Sequence, residues 1–448
     1  MDRPAEEPET AHETAAGDSS MNAQPKLYGD RSFWGITGTQ FLGAFNDNLY
    51  KQLLLLLLVA VPVAAGGQGK TRDLQWLGLL LFSLPFILFS GYAGYLSDRW
   101  SKRRVIVAAK VTEIVIMAVG VAGFFWYAQS GLVPVVVVAL CGILFLMGGQ
   151  SAFFGPGKYG ILPEMLRERD LPAANGLVLM TTFLAIIFGS AVAGVLMDWW
   201  GGRLWLAGLM CVGIAGLGTA TSLAVRRVRP SAPQLRFQWE MVAIPRDMRR
   251  LLAQDEPLRR ALIVSIVFWL TAAIVQPAVN ALGILQLGLD NQKTSFLVTI
   301  ISFGIAMGSA IAGAVARGRM RAPVQRVGAW GMVAFLVLMA ARGGPNDHLL
   351  GYWGSLAVLC VLGMFTGMFA VPLQVFLQAR PPEGLKGRMI ATQNLLNWIG
   401  IFASSGIYWA GAAFLRWQQW PENGMFALAA LLMLPVALCY RPEANTVA

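Results

Sequence analysis

Charge is scarce in this chain: Asp, Glu, Lys and Arg make up 13% of its 448 residues, against roughly 25% in a soluble domain. Histidine is almost missing. His12 and His348 stand far apart, so no imidazole metal cluster is in prospect. The four cysteines, Cys141, Cys211, Cys360 and Cys439, each lie inside an apolar segment with no CxxC pair, which reads as inert interior thiols rather than disulfides or ligands. The chain has no GxxxxGK[ST] phosphate loop, no GxSxG nucleophile elbow and no HExxH zinc motif. Nothing therefore points to an enzyme or to ATP bound by this chain, and no cofactor or metal is expected. A basic stretch leading directly into an apolar core is also lacking at the start, which argues against a cleaved signal peptide.

What the chain has is hydrocarbon. Hydrophobic residues make up 56% of it, and windows of roughly 20 apolar residues, the length that spans a bilayer, recur along it. They fall near 33–61, 74–96, 105–127, 133–154, 174–198 and 203–225, then near 259–286, 296–316, 324–342, 351–377, 388–413 and 424–440. Leu, Ala and Gly dominate, without the polar and apolar alternation of a membrane barrel. The fold class is all-α, with twelve spans in two groups of six. The expected organisation is a disordered acidic tail (1–32), a first six-helix bundle (33–225), a polar linker (226–258), a second bundle (259–440) and a short tail (441–448).

The net charge of +11 does not suggest nucleic acid, because the basic residues fill short connections between spans. Arg99, Lys102, Arg103, Arg104, Lys158, Arg167, Arg169, the linker arginines, Arg317, Arg319, Arg321, Arg326, Arg380, Lys386 and Arg388 all fall on the side of the termini. The other side has little beyond Lys70, Arg72, Arg203, Lys293, Arg342 and Arg416. The positive-inside rule then places both termini in the cytoplasm. In the linker, Phe237, Met241, Ile244, Met248 and Leu252 recur at helical spacing with Arg246, Arg249 and Arg250 between them. That pattern suits an interfacial segment kinked at Pro245, or equally a solvated connector.

Polar groups inside the spans are the candidate site. In "QFLGAFNDNLYKQLLLLLLVAV", Gln40, Asp47 and Lys51 share one helix face, with Gly43 and Ala44 flanking it and Asn48 beside it. Asn46 points elsewhere, toward a neighbouring helix. A carboxylate here needs a partner or water. Asp47 and Lys51, four apart, can neutralise each other. Alternatively they meet the ammonium and the phosphate of a zwitterionic headgroup, or Asp47 carries a coupling proton. Gln150, Gln276 with Asn280, Gln374, Asn394 and Asn397 add amides in spans four, seven, ten and eleven. Each of these also suits an interhelical hydrogen bond. Lys110 and Glu113 can pair on span three; if Lys110 instead snorkels outward, Glu113 joins the candidates. Small residues at fourfold spacing, Ser190 and Gly194, then Gly304, Gly308 and Ala312, permit close helix approach for sliding or for static packing.

The loop Gly94-x-x-x-Asp98-Arg99-x-x-Lys102-Arg103-Arg104 resembles the signature loop of the major facilitator superfamily, between its second and third spans. The resemblance implies parallel six-helix repeats with a site between them and a gating role for Asp98, Arg99 and Arg103. "GAVARGRMRAPVQR" in the second half keeps the arginines without the acid. Three further stretches, "QFLGAFNDNLYK", "FFGPGKYGILPEML" with "AANGL", and "KGRMIATQNLLNWIG", are similar to the bacterial lysophospholipid transporter group. That likeness implies a flippase moving lysophospholipids, such as lysophosphatidylethanolamine, from the outer to the inner leaflet of the cytoplasmic membrane for reacylation. Lys158 would meet the phosphate near the exit. Because the chain ends shortly after span twelve, acylation is expected from a separate acyltransferase and acyl-carrier-protein ligase, and the transporter itself is expected to be a monomer. The competing readings are a drug or small-metabolite antiporter of the same superfamily, and a non-transporting scaffold or sensor. Ser190 in "FGSAVAGVL", where such exporters often carry proline, lowers the antiporter reading.

Overall fold

A computed structural model describes residues 27–62, 71–167, 170–237, 244–316 and 322–441. Most of the expected acidic tail and of the final tail lies outside the described residues, as do Lys70, Arg169, Met241, Arg317, Arg319 and Arg321. Twelve long helices are found among the described residues. The first six are α1 (Arg31–Leu58), α2 (Gln75–Arg99), α3 (Lys102–Ser130), α4 (Pro134–Gly160), α5 (Leu171–Trp200) and α6 (Trp205–Leu223). The second six are α7 (Glu256–Ala281), α8 (Asn291–Ala316), α9 (Ala322–Met339), α10 (Gly351–Ala379), α11 (Lys386–Trp417) and α12 (Gly424–Cys439). Ten helical segments are long and apolar enough to cross a membrane. α1 is charged near its middle and α12 has 16 residues.

Local chemistry sets several of the ends. Asp30 caps α1 by accepting from Ser32 N at 2.8 Å, and Asp255 caps α7 by accepting from Leu258 N at 3.0 Å; each carboxylate answers an orphan amide at a positive helix end. Gly131, at φ 69°, closes α3 in a conformation that side chains disfavour. Val61–Pro62 and Thr71–Arg72 form a two-residue antiparallel ladder in the α1–α2 connection.

Packing repeats at an interval of six helices. In the first half α1 packs on α5 and α6, α2 on α4, and α3 on α4 and α6; in the second, α7 packs on α11 and α12, α8 on α10, and α9 on α10 and α12. The halves meet along two seams, α5 against α8 and α2 against α11, and a pseudo-twofold exchange of the halves maps one seam onto the other. Each half has its own apolar core. The leucine run Leu53–Leu58 is buried within protein rather than turned to lipid. α1 is thus a central helix, surrounded by α5, α6, α4 and α2.

An even number of crossings puts both ends of the helical array on one side, called here the basic end, with the far end opposite. On the basic side a connector helix, Arg246–Gln254, begins directly after Pro245, so the proline starts it rather than kinks it. Met248 is buried, and Ile244 and Leu252 pack on the second core. Arg388 bonds Asp247, holding that carboxyl below its usual range, and Arg380 pairs with Asp255 at 2.9 Å. The connector belongs to the second bundle.

Glycines set the tightest contacts. A Cβ on Gly308 of α8 would overlap the Met364 carbonyl of α10, and one on Gly367 of α10 would meet Ser309 N at 2.6 Å. Gly304 and Gly308 therefore pack within the second bundle, and it is Gly194 that faces the other half, 2.5 Å from the Asn291 carbonyl if given a Cβ. Gly308→Leu should destabilise the second bundle by at least about 1–3 kcal/mol, the usual range for overpacking. Thermal unfolding of the purified variant in detergent checks this, with Gly313→Leu, where a Cβ meets nothing within 4 Å, as the tolerated control.

Candidate functional site

A buried ion pair organises the polar interior of the first bundle. Lys110 and Glu113 of α3 pair at 2.6 Å with side chains 2% and 1% exposed. Glu113 also accepts from Asn46 of α1 at 2.8 Å and from Gln150 of α4 at 3.3 Å. Lys110 does not run outward to the basic end. Its ammonium lies 4.8 Å from the Phe154 ring centroid and fills the space beside Gly43, where a Cβ would overlap it. Within hydrocarbon such a pair persists only if each charge has partners, and three helices supply them. Glu113 is therefore sealed in protein.

From this core a chain of bonds runs to Asp47. Ser151 bonds Gln150 at 3.0 Å and donates to Asp47 Oδ2 at 2.6 Å, while Asp47 Oδ1 is buried without a hydrogen-bond partner. Asp47 and Lys51 lie within electrostatic reach of each other, but no salt bridge joins them. Lys51 instead sits over the Phe82 ring of α2, 5.4 Å from its centroid. Asp47, Asn48 and Lys51 are all part-exposed on this central helix. Lys158 is part-exposed too, shares the Phe154 ring with Lys110 at 5.9 Å, and reaches Asp47 electrostatically.

The other candidates separate into three places. Gln40 is buried and donates to Thr182 of α5 at 3.0 Å. Gln276 and Asn280 join a belt at the far end: Gln276 donates to Gln52 at 2.9 Å, Gln52 to Asn280 at 3.0 Å, and Asn280 to Gln75 at 2.9 Å. Gln75 reaches on to the Pro277 carbonyl at 3.1 Å, and Tyr408 bonds Asp73. Asp198 of α5 caps α8 across the seam, accepting from Asn291 N and Gln292 N at 3.3 and 2.8 Å. Toward the basic end, Gln374 accepts from Gln393 at 2.8 Å and Asn397 accepts from Ser265 at 3.0 Å, while Asn394 is exposed. Charge lines the first bundle and amides line the second.

Sequence reasoning overlooked Ser151, Gln52, Asp73, Gln75 and Tyr408. Gln52 stands next to Lys51 at the mouth of the leucine run, and a polar residue in a span was the available signal. Asp73, two residues before Gln75, accepts from its backbone N at 2.9 Å, a capping pattern readable in the sequence. Nothing local marked Ser151 or Tyr408.

In the signature loop, Arg99 bonds Tyr95 and lies over its ring at 5.8 Å. Arg103 donates to the Leu223 carbonyl at the end of α6 at 3.0 Å, a cation on a negative helix end. The Asp98 carbonyl accepts from Ala232 N at 2.9 Å, and its exposed side chain makes no salt bridge among the described residues. Lys102 is the residue that closes the loop, pairing with Glu164 of the "PEML" turn and bonding Ser231.

This is a transporter architecture: two six-helix repeats about a pseudo-twofold, bonded across the seam at one end, with a charged cluster inside the first bundle. The sequence profile of the Major Facilitator Superfamily matches residues 36–405, and the chain belongs to that superfamily of transporters. Within it, the chain belongs with the lysophospholipid transporters. It is 30% identical over 402 residues to the lysophospholipid transporter LplT of Photorhabdus laumondii, a match covering 87% of this chain and 90% of that one. It is 28% identical to the lysophospholipid transporters LplT of Klebsiella pneumoniae (87% and 90% covered) and Yersinia pestis (84% and 86%). Among solved structures, a POT family transporter in complex with 5-aminolevulinic acid superposes with a TM-score of 0.70 at 11% identity, covering 93% of this chain and 97% of that one. A mutant of the nucleoside transporter NupG gives 0.63 at 10% identity over 92% and 98%. These two share the fold.

Lys110→Met, which strands Glu113 as a lone buried charge, should destabilise the first bundle by roughly 3–5 kcal/mol. Lys110→Met with Glu113→Leu should recover most of that loss. Thermal or denaturant unfolding of the two variants in detergent reads the difference.

Proposed function

We propose that this protein moves lysophospholipids, such as lysophosphatidylethanolamine, from the outer to the inner leaflet of the bacterial cytoplasmic membrane by alternating access. The single observation that carries this reading is the unpaired state of Asp47 and Lys51. They lie one helical turn apart and bond a serine hydroxyl and an aromatic ring rather than each other; in this reading they face the space between the bundles. Asp47 Oδ1 has acceptor capacity to spare, and Lys51 has its ammonium donors. A zwitterionic headgroup satisfies both, its ammonium on Asp47 and its phosphate on Lys51, with Lys158 nearer the basic end. The amide lining opposite suits glycerol and phosphate oxygens without adding charge. The single acyl chain trails toward lipid between the bundles.

The distribution of basic residues supports cytoplasmic termini, so the bonded far end faces outward and headgroups leave toward the basic end. Gln276 and Asn280 then act in closing the route, and Asp98, Arg99 and Arg103 in gating its cytoplasmic side. The product needs an acyl group, which a separate acyltransferase with an acyl-carrier-protein ligase supplies.

Proteoliposomes holding the purified protein and labelled lysophosphatidylethanolamine test this reading. The native chain should carry the lipid across, and Asp47→Asn or Lys51→Ala should lower the rate at least tenfold with unchanged yield and size-exclusion profile. Full transport by both variants would demote the two residues to structural roles. Failure of the native chain, together with counterflow of a soluble metabolite, would favour the antiporter reading.

A further inference from the structure

An acidic pair at the far end spans the two halves and has no part in headgroup binding. Asp73, 6% exposed, lies in the connection before α2. Its Oδ1 holds Gln75 N at 2.9 Å, and its Oδ2 accepts from the Tyr408 hydroxyl of α11 and from Gln75 Nε2 at 3.3 Å. Glu422, half-buried between α11 and α12 in the second bundle, lies within electrostatic reach of Asp73, and Arg416 reaches both. Arg342, over the Trp420 ring at 5.6 Å, is already paired with Asp347 at 3.1 Å. The Tyr408 hydroxyl of the second bundle thus bonds Asp73 of the first, with Glu422 and Arg416 within electrostatic reach of that carboxylate.

Burial pushes Glu422 up to about 7, the Asp73 charge adds to the rise, and Arg416 offsets only part of it. Burial raises Asp73 as well, against the bonds from Tyr408 and Gln75 and the charge of Arg416. With both acids ionised, two negative charges stand against one positive, with Asp73 buried and Glu422 half-buried. Two changes relieve this: one proton on the pair, or separation of the bundles so that water reaches the acids.

We propose that Asp73 and Glu422 form a proton-binding site whose occupation holds the far end closed and whose emptying releases it. The closed state raises the affinity of Glu422 for a proton, so proton uptake must in turn favour closure. Once the bundles part, Glu422 returns toward its ordinary value of 4.5. The bias toward closure is then complete below that value and lost as pH rises through about 7. Between about pH 5.5 and about pH 8.5 the ratio of closed to open molecules should fall about tenfold, a figure allowing for solvent screening of a half-buried group. This inference does not depend on the identity of the transported lipid.

The test is a distance measurement on the full chain in nanodiscs. Spin labels go on Gly202→Cys of the first bundle and Gln418→Cys of the second, both exposed positions at the far end. The background carries Cys439→Ser, which removes the exposed native thiol. The expected result is a short-distance population that shrinks about tenfold relative to the long one over that pH range. Glu422→Gln should keep the short distance dominant at high pH, and Asp73→Asn should act in the same direction. Should Asp73→Asn fail to fold, Glu422→Gln decides alone, since Glu422 is half-buried where Asp73 is sealed. Distances that ignore pH in the parent chain, or an unchanged pH response in Glu422→Gln, would overturn the proposal.

Discussion

Inside a bilayer no lipid atom can take or give a hydrogen bond in the hydrocarbon layer, so each polar side chain on a span must be answered from another helix. This constraint governs the present structure. Glu113 is answered by Lys110, Asn46 and Gln150, and together these join α3, α1 and α4. Gln52 is answered by Gln276, Asn280 and Ser295, which joins α1 to α7 and α8. Each such residue is a statement about which helices lie side by side. Helix neighbours here are chosen by polar partners and small residues, because Leu against Leu is hardly better than Leu against lipid.

The same constraint divides labour between the halves. The first bundle buries an ion pair within its spans, Lys110 with Glu113, and joins α1, α3 and α4 through it. The second offers amides, whose bonds can break without leaving a charge in hydrocarbon. Interhelical bonds of this sort contribute about 0.6 kcal/mol each on average, so the far-end belt amounts to a few kcal/mol. Shifting a two-state population from 1:99 to 99:1 takes about 5.5 kcal/mol. The belt falls short of that figure. Asp198 and Asp73 add buried or capping carboxylates to the same end of the seam.

Much of this was legible in the residues. Every apolar window has a helix, the connector helix falls in the polar stretch between the sets of six, and the resemblance to the lysophospholipid transporters agrees with the relatives the chain matches. On α1, Asn46 turns to its neighbours Glu113 and Cys211, while Asp47 reaches Ser151 of α4 and Lys51 lies over Phe82 of α2. Partner choice was not legible. An acid and a lysine four apart are able to neutralise each other, yet Asp47 bonds Ser151 of α4, over a hundred residues away. Tyr408 and Asp73 had no shared signal, for they meet only across the seam between the two bundles.

Taken alone, the sequence determined the class of solvent around this protein, the number of spans and the repeat, because hydropathy and charge act over lengths a linear chain displays. It also determined which residues are too polar to face lipid. Tertiary structure decided which of those residues satisfy one another and which keep a free valence toward the interior. The reason is geometric: a hydrogen bond requires two groups within about 3 Å, and across helices that approach is set by the packing of small residues such as Gly43, Gly189 and Gly194, not by separation along the chain.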